Sequence, residues 1–459
     1  MYFGIFLIAL NAVKLWLARF LPLLGDEAYY NVWSKHLALS YVDHPPMIAY
    51  LNLIFGWSQF GIRLGAIICI LISTWLIYLV AKEAFGRKVG IASAFLFNLI
   101  PTYLSGGLFF TPEQPFIIFW LLSMYAVVKI IKTQEPKYWY LLGLGAGLGM
   151  LSKYPMILFA PGLLVFLFVS KDNRSWLSKK EPYLAALLAT ALLSPVIIWN
   201  IQHSFPSLAQ HGARLHQTKY FDNILYFFGL QFIMFSPPLF IFTLKTFLID
   251  FWVEKKLMDN FSLFFILISL VPFAIFLAVS PFTAVGGHWT STAYLGIIIF
   301  GCYKILGSLP NPLKNTGIRI NLAIIVLINA LAIAYYAFLY PIPAEFNGKA
   351  YSINYELPKY IEEANVDYVF SNQMGVGSLV AFYGKTEVYL FKGLWPQFDI
   401  WGQPELKKGD RILYFGFDEK DATEKLKPMF RQVKKDPQKR LFTKDSDIPI
   451  KVETYKCVK

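Results

Sequence analysis

Apolar windows of about 20 residues alternate with short polar stretches over the first 341 positions, and about eleven of them are long enough to be read as bilayer crossings. They lie near residues 2–24, 60–81, 89–110, 115–132, 138–151, 154–170, 182–201, 222–247, 261–280, 289–307 and 318–341. The fifth and sixth are short and glycine-rich, and read as broken or half-buried helices. Beyond residue 342 the pattern changes. Pro341-Ile342-Pro343 reads as a linker, and charges become dense and mixed. Short β-rich runs at 366–370, 378–382, 387–390, 411–415 and 448–455, with helical stretches at 357–364 and 421–430, predict a small soluble α/β domain. The expected organisation is a mainly α, polytopic transmembrane domain over 1–341, with a first outer loop at 25–59, followed by an α/β domain over 342–459.

Composition agrees with this pattern. Of 459 residues, 56% are hydrophobic and only 15% are charged, against roughly 25% charged in a soluble domain. The net charge of +13 suggests nucleic acid at first, but the positions of the charges say otherwise. With the N-terminus inside, alternate loops carry Lys82, Arg87 and Lys88; Lys129, Lys132 and Lys137; Lys171, Arg174, Lys179 and Lys180; Lys245, Lys255 and Lys256; then Lys314 and Arg319. The opposite loops up to 341 carry Lys35, Lys153, Arg214 and Lys219. This asymmetry follows the positive-inside rule, so the basic excess reports topology, and no nucleic-acid partner is expected. An odd number of spans puts the C-terminal domain outside. The first apolar run is too long for a cleaved secretion signal and reads as an anchor. Cys69, Cys302 and Cys457 are far apart and form no metal or redox motif.

The outer loops collect the polar residues that the spans avoid. Residues 25–46 are densest, with Asp26, Glu27, Asp43 and His44 in one short segment that Pro45-Pro46 closes. A helix over 26–39 would align Asp26, Tyr29, Tyr30, Trp33 and Leu37 on one face. Such a helix would lie at the membrane surface with its rings at headgroup level. Asp26 suits a general base and equally an N-cap. Glu27 suits substrate binding or first-turn electrostatics. Thr111-Pro112-Glu113-Gln114-Pro115, Ser152-Lys153-Tyr154, the loop 200–220 and Gly286-Gly287-His288-Trp289 share that outer face. A lysine between two apolar runs, as Lys153 is, is costly unless it is paired or at the interface, which leaves phosphate binding and snorkelling both open. Arg214 and Lys219 run against the topology trend and could grip phosphate or simply be solvated. His203, His211, His216 and His288 match no tight metal spacing, and a divalent metal on Asp43 and His288 stays an open alternative.

Taken together, these motifs resemble a known family. Gly25-Asp26-Glu27-Ala28-Tyr29-Tyr30 with Tyr41-Val42-Asp43-His44-Pro45-Pro46 resembles the first outer loop of the bacterial protein-mannosyltransferase-like enzymes. These include the aminoarabinose transferases that modify lipid A, and they are membrane glycosyltransferases of the GT-C type. Phe110-Thr111-Pro112-Glu113-Gln114-Pro115 is similar to the family's Thr-Pro-Asp-x-Pro element, with Glu for Asp. Leu151-Ser152-Lys153-Tyr154, Ser194-Pro195 through Trp199-Asn200, and His288-Trp289 with Ala293-Tyr294 resemble further elements in order.

The resemblance spans roughly residues 20–300 and implies a GT-C fold of 11–13 spans. It implies transfer of a sugar, with inversion, from a polyprenyl (undecaprenyl) phosphate donor. The acceptor would be an envelope molecule such as lipid A or another lipopolysaccharide glycan, on the periplasmic face of a bacterial inner membrane. Asp26 and Glu113 are then the expected catalytic residues. Glu27, Tyr30, Asp43, His44, Lys153, Tyr154, Arg214, Lys219 and His288 are the expected substrate-binding residues. Membrane lipids are the remaining partners, and no organic cofactor is implied. A protein O-glycosyltransferase of the same fold stays open within the enzyme class. A transporter or flippase would show inverted repeats and mid-span polar groups, and a lipid-gathering scaffold would not need Asp26.

Overall fold

The computed structural model describes residues 2–213, 220–254, 258–309, 312–334, 354, 356–407, 409–416, 432–435 and 451–458. Six helices among them are long and apolar enough to cross a bilayer: Tyr2–Phe20, Gln59–Phe85, Glu113–Thr133, Glu181–Gln202, Asn260–Phe282 and Gly287–Ser308. The other apolar windows are helical too, but shorter or broken. The window 89–110 splits into Arg87–Leu99 and Pro101–Gly106. Ile100, pushed out of the helical region by the proline after it, is extended at φ −68°, ψ 129°. The window 222–247 splits into Tyr220–Met234 and Pro237–Lys245, at Ser236 with φ 69° ahead of Pro237-Pro238. The mainly α, polytopic fold is as expected.

The glycine-rich fifth window is not broken. Lys137–Ser152 is one helix, and its glycines are the places where neighbours come close. A Cβ on Gly143 would lie 2.6 Å from the Ala185 carbonyl oxygen, and one on Gly147 would lie 2.6 Å from Leu192. On another face, a Cβ on Gly145 would lie 2.8 Å from Ser123 Oγ. Helices Glu113–Thr133 and Glu181–Gln202 therefore pack against this one at short range, as small residues permit in a bilayer. The sixth window opens with a 3₁₀ turn, Tyr154–Leu158, and continues as helix Phe159–Val169.

The chain forms two compact units, and neither is continuous in sequence. One gathers Met1–Leu15, Leu39–Ile48 and Arg63–Ile333; the other gathers Trp16–Ala38, Ala49–Ile62 and Ala334–Lys459. In the first, Glu83 receives Lys132 Nζ at 3.0 Å and Lys129 Nζ at 3.5 Å. This pair of cations marks the last turns of helix Glu113–Thr133. Glu113 begins the same helix, roughly 30 Å away at 1.5 Å per residue.

The second unit is built on a five-stranded sheet. Strands β1 (Tyr368–Ser371), β2 (Val388–Leu390), β3 (Arg411–Gly416), β4 (Gln432–Lys435) and β5 (Lys451–Val458) are ordered β2-β1-β3-β5-β4. β1 pairs in parallel with β2 and β3, and β5 pairs antiparallel with β3 and β4. Helix Met374–Tyr383 makes the parallel crossover from β1 to β2. Its presence corrects the expectation of a strand at 378–382, because a short apolar run between glycines does not distinguish strand from buried helix. Helix Leu357–Ala364 forms where it was expected. The stretch 421–430 lies outside the described residues.

Helix Gly25–Lys35 belongs to this second unit and packs its apolar face into it. Tyr29 stacks on Phe398 with ring centroids 6.0 Å apart and accepts a 3.0 Å bond from Trp395 Nε1. Trp33 is fully buried, and Val32 joins the cluster of Leu357, Ile361, Val380 and Leu413. A Cβ on Gly25 would lie 2.9 Å from Gly375 Cα, so the two helices meet backbone to backbone. This corrects the reading of a surface helix over 26–39. The helix stops at Lys35, and its aromatic face is core, not a headgroup belt.

Candidate functional site

The first unit brings four of the sequence-predicted residues together. Glu113 opens its helix directly after Pro112. Lys153 sits in extended conformation between helix Lys137–Ser152 and the 3₁₀ turn after it. Its Nζ forms an ion pair with Glu113 Oε1, although 40 residues separate them. Lys153 is buried at 3% exposure. The cost of burying this lysine is thus met by a carboxylate, and snorkelling is not how it is accommodated. His288 Nε2 lies 3.4 Å from the same Glu113 oxygen, and its side chain is 47% exposed, so the cluster opens to accessible space on that side.

His44 completes the cluster. Burial, and then the positive charge of Lys153, push its imidazole down to about 3, while Glu113 pulls the other way. It is therefore neutral at physiological pH. Asp43 beside it is buried, and its carbonyl oxygen lies 3.2 Å from His211 Nε2. Ser207 Oγ donates to the Tyr41 carbonyl at 3.1 Å, which ties helix Pro206–Ala213 to the same loop. Tyr154 sets its ring edge-on to His211, with centroids 5.5 Å apart.

Sequence reasoning missed two supporting groups. Thr111 Oγ1 donates to Glu113 Oε2 at 3.0 Å, and Gln114 Oε1 accepts from the Thr111 backbone N–H at 2.7 Å. Both stand inside the Thr-Pro-Glu-Gln-Pro element, so the motif held the signal. Together they fix the rotamer of Glu113 at the positive end of its own helix. Chemically, the cluster presents an ammonium and neutral imidazoles around one carboxylate that is already committed to the ammonium. That composition suits an oxyanion such as a phosphate better than proton abstraction by Glu113.

The remaining predicted residues stand elsewhere. Asp26, Glu27 and Tyr30 belong to the second unit. Asp26 is exposed in the first turn of helix Gly25–Lys35, and Leu24 holds the N-cap position that sequence offered to Asp26. Glu27 is fully buried, and its Oε2 accepts from the Leu24 backbone N–H at 2.9 Å, the capping half of its two readings. Tyr30 is 8% exposed and packs on Tyr29 and Trp33. Glu27 and Tyr30 thus both face the interior of the second unit. Arg214 and Lys219, with His216, lie outside the described residues. Among the described residues, no three His, Cys, Asp or Glu side chains group together as a metal site would require. His203 serves its own helix end, with Nδ1 2.8 Å from the Trp199 carbonyl.

Comparison with known proteins agrees with the fold. Residues 43–199 match the family described as dolichyl-phosphate-mannose-protein mannosyltransferase. The lipid A galacturonosyltransferase RgtD of Rhizobium johnstonii is 24% identical over 223 residues, which cover 47% of each chain. An undecaprenyl phosphate-α-4-amino-4-deoxy-L-arabinose arabinosyl transferase of Pseudomonas fluorescens is 29% identical over 176 residues, 32% of this chain and 30% of that one. The chain thus matches about half or less of the length of these curated relatives. The crystal structure of ArnT from Cupriavidus metallidurans bound to undecaprenyl phosphate superposes with a TM-score of 0.66 at 13% identity, over 98% of this chain and 97% of that one. The chain thus resembles these proteins in fold over nearly its whole length, and in sequence the family match covers residues 43–199.

Proposed function

We propose that this chain, a membrane protein of GT-C fold, is a glycosyltransferase that moves a sugar from a polyprenyl phosphate to an envelope acceptor. The observation that carries the reading is the buried Lys153–Glu113 pair with His288 and His44 around it, at the helix end opposite Lys129 and Lys132. A donor of this class leaves as a lipid phosphate. The phosphate needs cations and hydrogen-bond donors, and no nucleotide cradle. Lys153 supplies charge, His288 an N–H donor, Glu113 holds Lys153 in place, and neutral His44 lies beside them. Asp26 is assigned as the general base, on the strength of its motif and its exposed carboxylate. It removes the proton of the acceptor nucleophile as that oxygen attacks the anomeric carbon. The bond to the phosphate oxygen breaks, polyprenyl phosphate departs, and the configuration inverts.

The acceptor in this reading is lipid A or a related lipopolysaccharide glycan, because the curated relatives are named for it or for the undecaprenyl-linked aminoarabinose donor. The cationic helix ends at Lys129 and Lys132 are assigned to the cytoplasm, and the site and the C-terminal segment to the periplasm. The name of the matched family supports a second reading, in which the acceptor is a protein hydroxyl.

Mass spectrometry of envelope glycolipids tests the proposal in cells with the native protein, with none, and with Asp26→Asn at equal expression. Loss of a sugar-sized mass in the last two supports the transferase and its base. Loss without the protein but retention with Asp26→Asn removes Asp26 from the mechanism. A mass lost from envelope proteins instead selects the second reading, and no difference in either fraction refutes the transferase.

A further inference from the structure

The second unit contains a cavity of about 300 Å³ that the proposed mechanism does not use. It lies between the C-terminal end of helix Gly25–Lys35 and the edge of the sheet at β2. Its volume is at the lower end of the roughly 300–1,000 Å³ typical of small-molecule sites. His36 and Trp401 form part of its wall, stacked at 4.6 Å and 22°. Two polar groups in that wall are buried without a hydrogen-bond partner: Ser378 Oγ, on a residue at 0% exposure, and Trp401 Nε1. Leaving such groups unsatisfied is costly, and a ligand that brings hydroxyls would satisfy both.

The lining also carries charge. Lys35 and Lys385 line it together with one carboxylate, Glu387, which lies 4.0 Å from His36 Nε2. Burial lowers the Lys35 ammonium, and Glu387 only partly restores it. An anion entering the cavity would be favoured by both lysines. Lys385 is moreover held at φ 49°, a conformation that a non-glycine residue adopts at some cost.

We propose that this cavity binds a pyranose that carries a phosphate or carboxylate group. The ring packs on the aromatic wall, its hydroxyls satisfy Ser378 and Trp401, and its anionic group is held by Lys35 and Lys385. Resting on the proposed function, the inference names the acceptor chemistry: the cavity anchors an anionic sugar of the acceptor. Lys35 and Asp26 stand nine residues apart on one helix, roughly 14 Å along its axis. An anchored acceptor would therefore be presented at a fixed distance from the assigned base.

Saturation-transfer NMR on the full-length protein in detergent tests this, with glucose 1-phosphate, glucuronate and glucose as probes and inorganic phosphate as competitor. The expected result is binding of one or both anionic sugars at least tenfold tighter than glucose, with inorganic phosphate competing only weakly. Which of the two binds better identifies the source as phosphosugar or uronate. Lys35→Gln with Lys385→Asn, where Asn tolerates the left-handed backbone, should weaken the anionic probes about tenfold and leave glucose unchanged. Trp401→Phe should weaken all three. Equal binding of glucose, competition by phosphate at the sugar's own affinity, or native affinity in the lysine variant overturns the proposal. Binding without sugar transfer would fault the proposed function and leave the cavity standing, whereas transfer without binding would fault the cavity alone.

Discussion

Replacing Glu113 by Gln tests the central ion pair most directly. The variant keeps the shape and the Thr111 contact but leaves the Lys153 ammonium, 3% exposed, without its carboxylate. Breaking one half of a buried pair costs roughly 3–5 kcal/mol, whereas replacing both halves by neutral groups is often nearly neutral. Glu113→Gln and Lys153→Met should therefore each destabilise by about that much, while the double variant should return most of the loss. The coupling would exceed about 2 kcal/mol, well above the 0.3–0.5 kcal/mol expected of independent sites. Denaturant titration in mixed micelles, followed by tryptophan fluorescence, measures all four proteins. Sugar transfer should fail in the double variant despite its restored stability, because the cation for the departing phosphate is gone. Additive losses, or single losses under about 1 kcal/mol, would refute the reasoning.

Other expectations follow from the same structure. Asp26→Asn should lower transfer by roughly 10²–10⁴-fold while costing at most about 1 kcal/mol of stability, the worth of an exposed acid in a first helical turn; purified protein assayed by both readouts decides it. The folded His44 imidazole sits near 3, below its ordinary 6.5, so the unfolded chain takes up the proton first. His44 therefore favours the fold fully above pH 6.5 and progressively less as pH falls toward 3, and His44→Gln should flatten the thermal-stability profile between pH 7 and 5. Gly143→Val would drive a side chain into the Ala185 carbonyl and should cost about 1–3 kcal/mol or more, seen as a lower melting temperature. Tyr29→Phe removes the acceptor of the Trp395 bond and should cost about 0.5–1.5 kcal/mol, by the same measurement.

The membrane helices were legible because bilayer length and apolar composition are local properties. All of the apolar windows contain helix, and their breaks fall at Pro101 and at Pro237-Pro238, where proline chemistry dictates them. The Lys153–Glu113 pair was not legible, since it joins positions 40 apart and only packing brings them together. What sequence did provide was the two motifs that hold them. The aromatic face of 25–35 was seen as a face but given the wrong partner. Amphipathicity says that a side is buried, not against what, and here the covering residues include Trp395 and Phe398. The strand expected at 378–382 failed for a related reason: a crossover helix buried on several sides is as uniformly apolar as a strand.

The discontinuity of the second unit bears on how the protein is made. Tyr29 waits for Trp395, 366 positions later. At synthesis rates of 5–20 residues per second, that interval is roughly 20–70 s. During it, an aromatic helix that follows the first apolar segment lacks this cover, and exposed aromatic surface of that kind is what chaperones and proteases bind. A ribosome that stalls or a message that is cut short would leave the same face permanently bare. The core of the second unit therefore opens at residues 25–35 and closes only when residues 395–398 have been made.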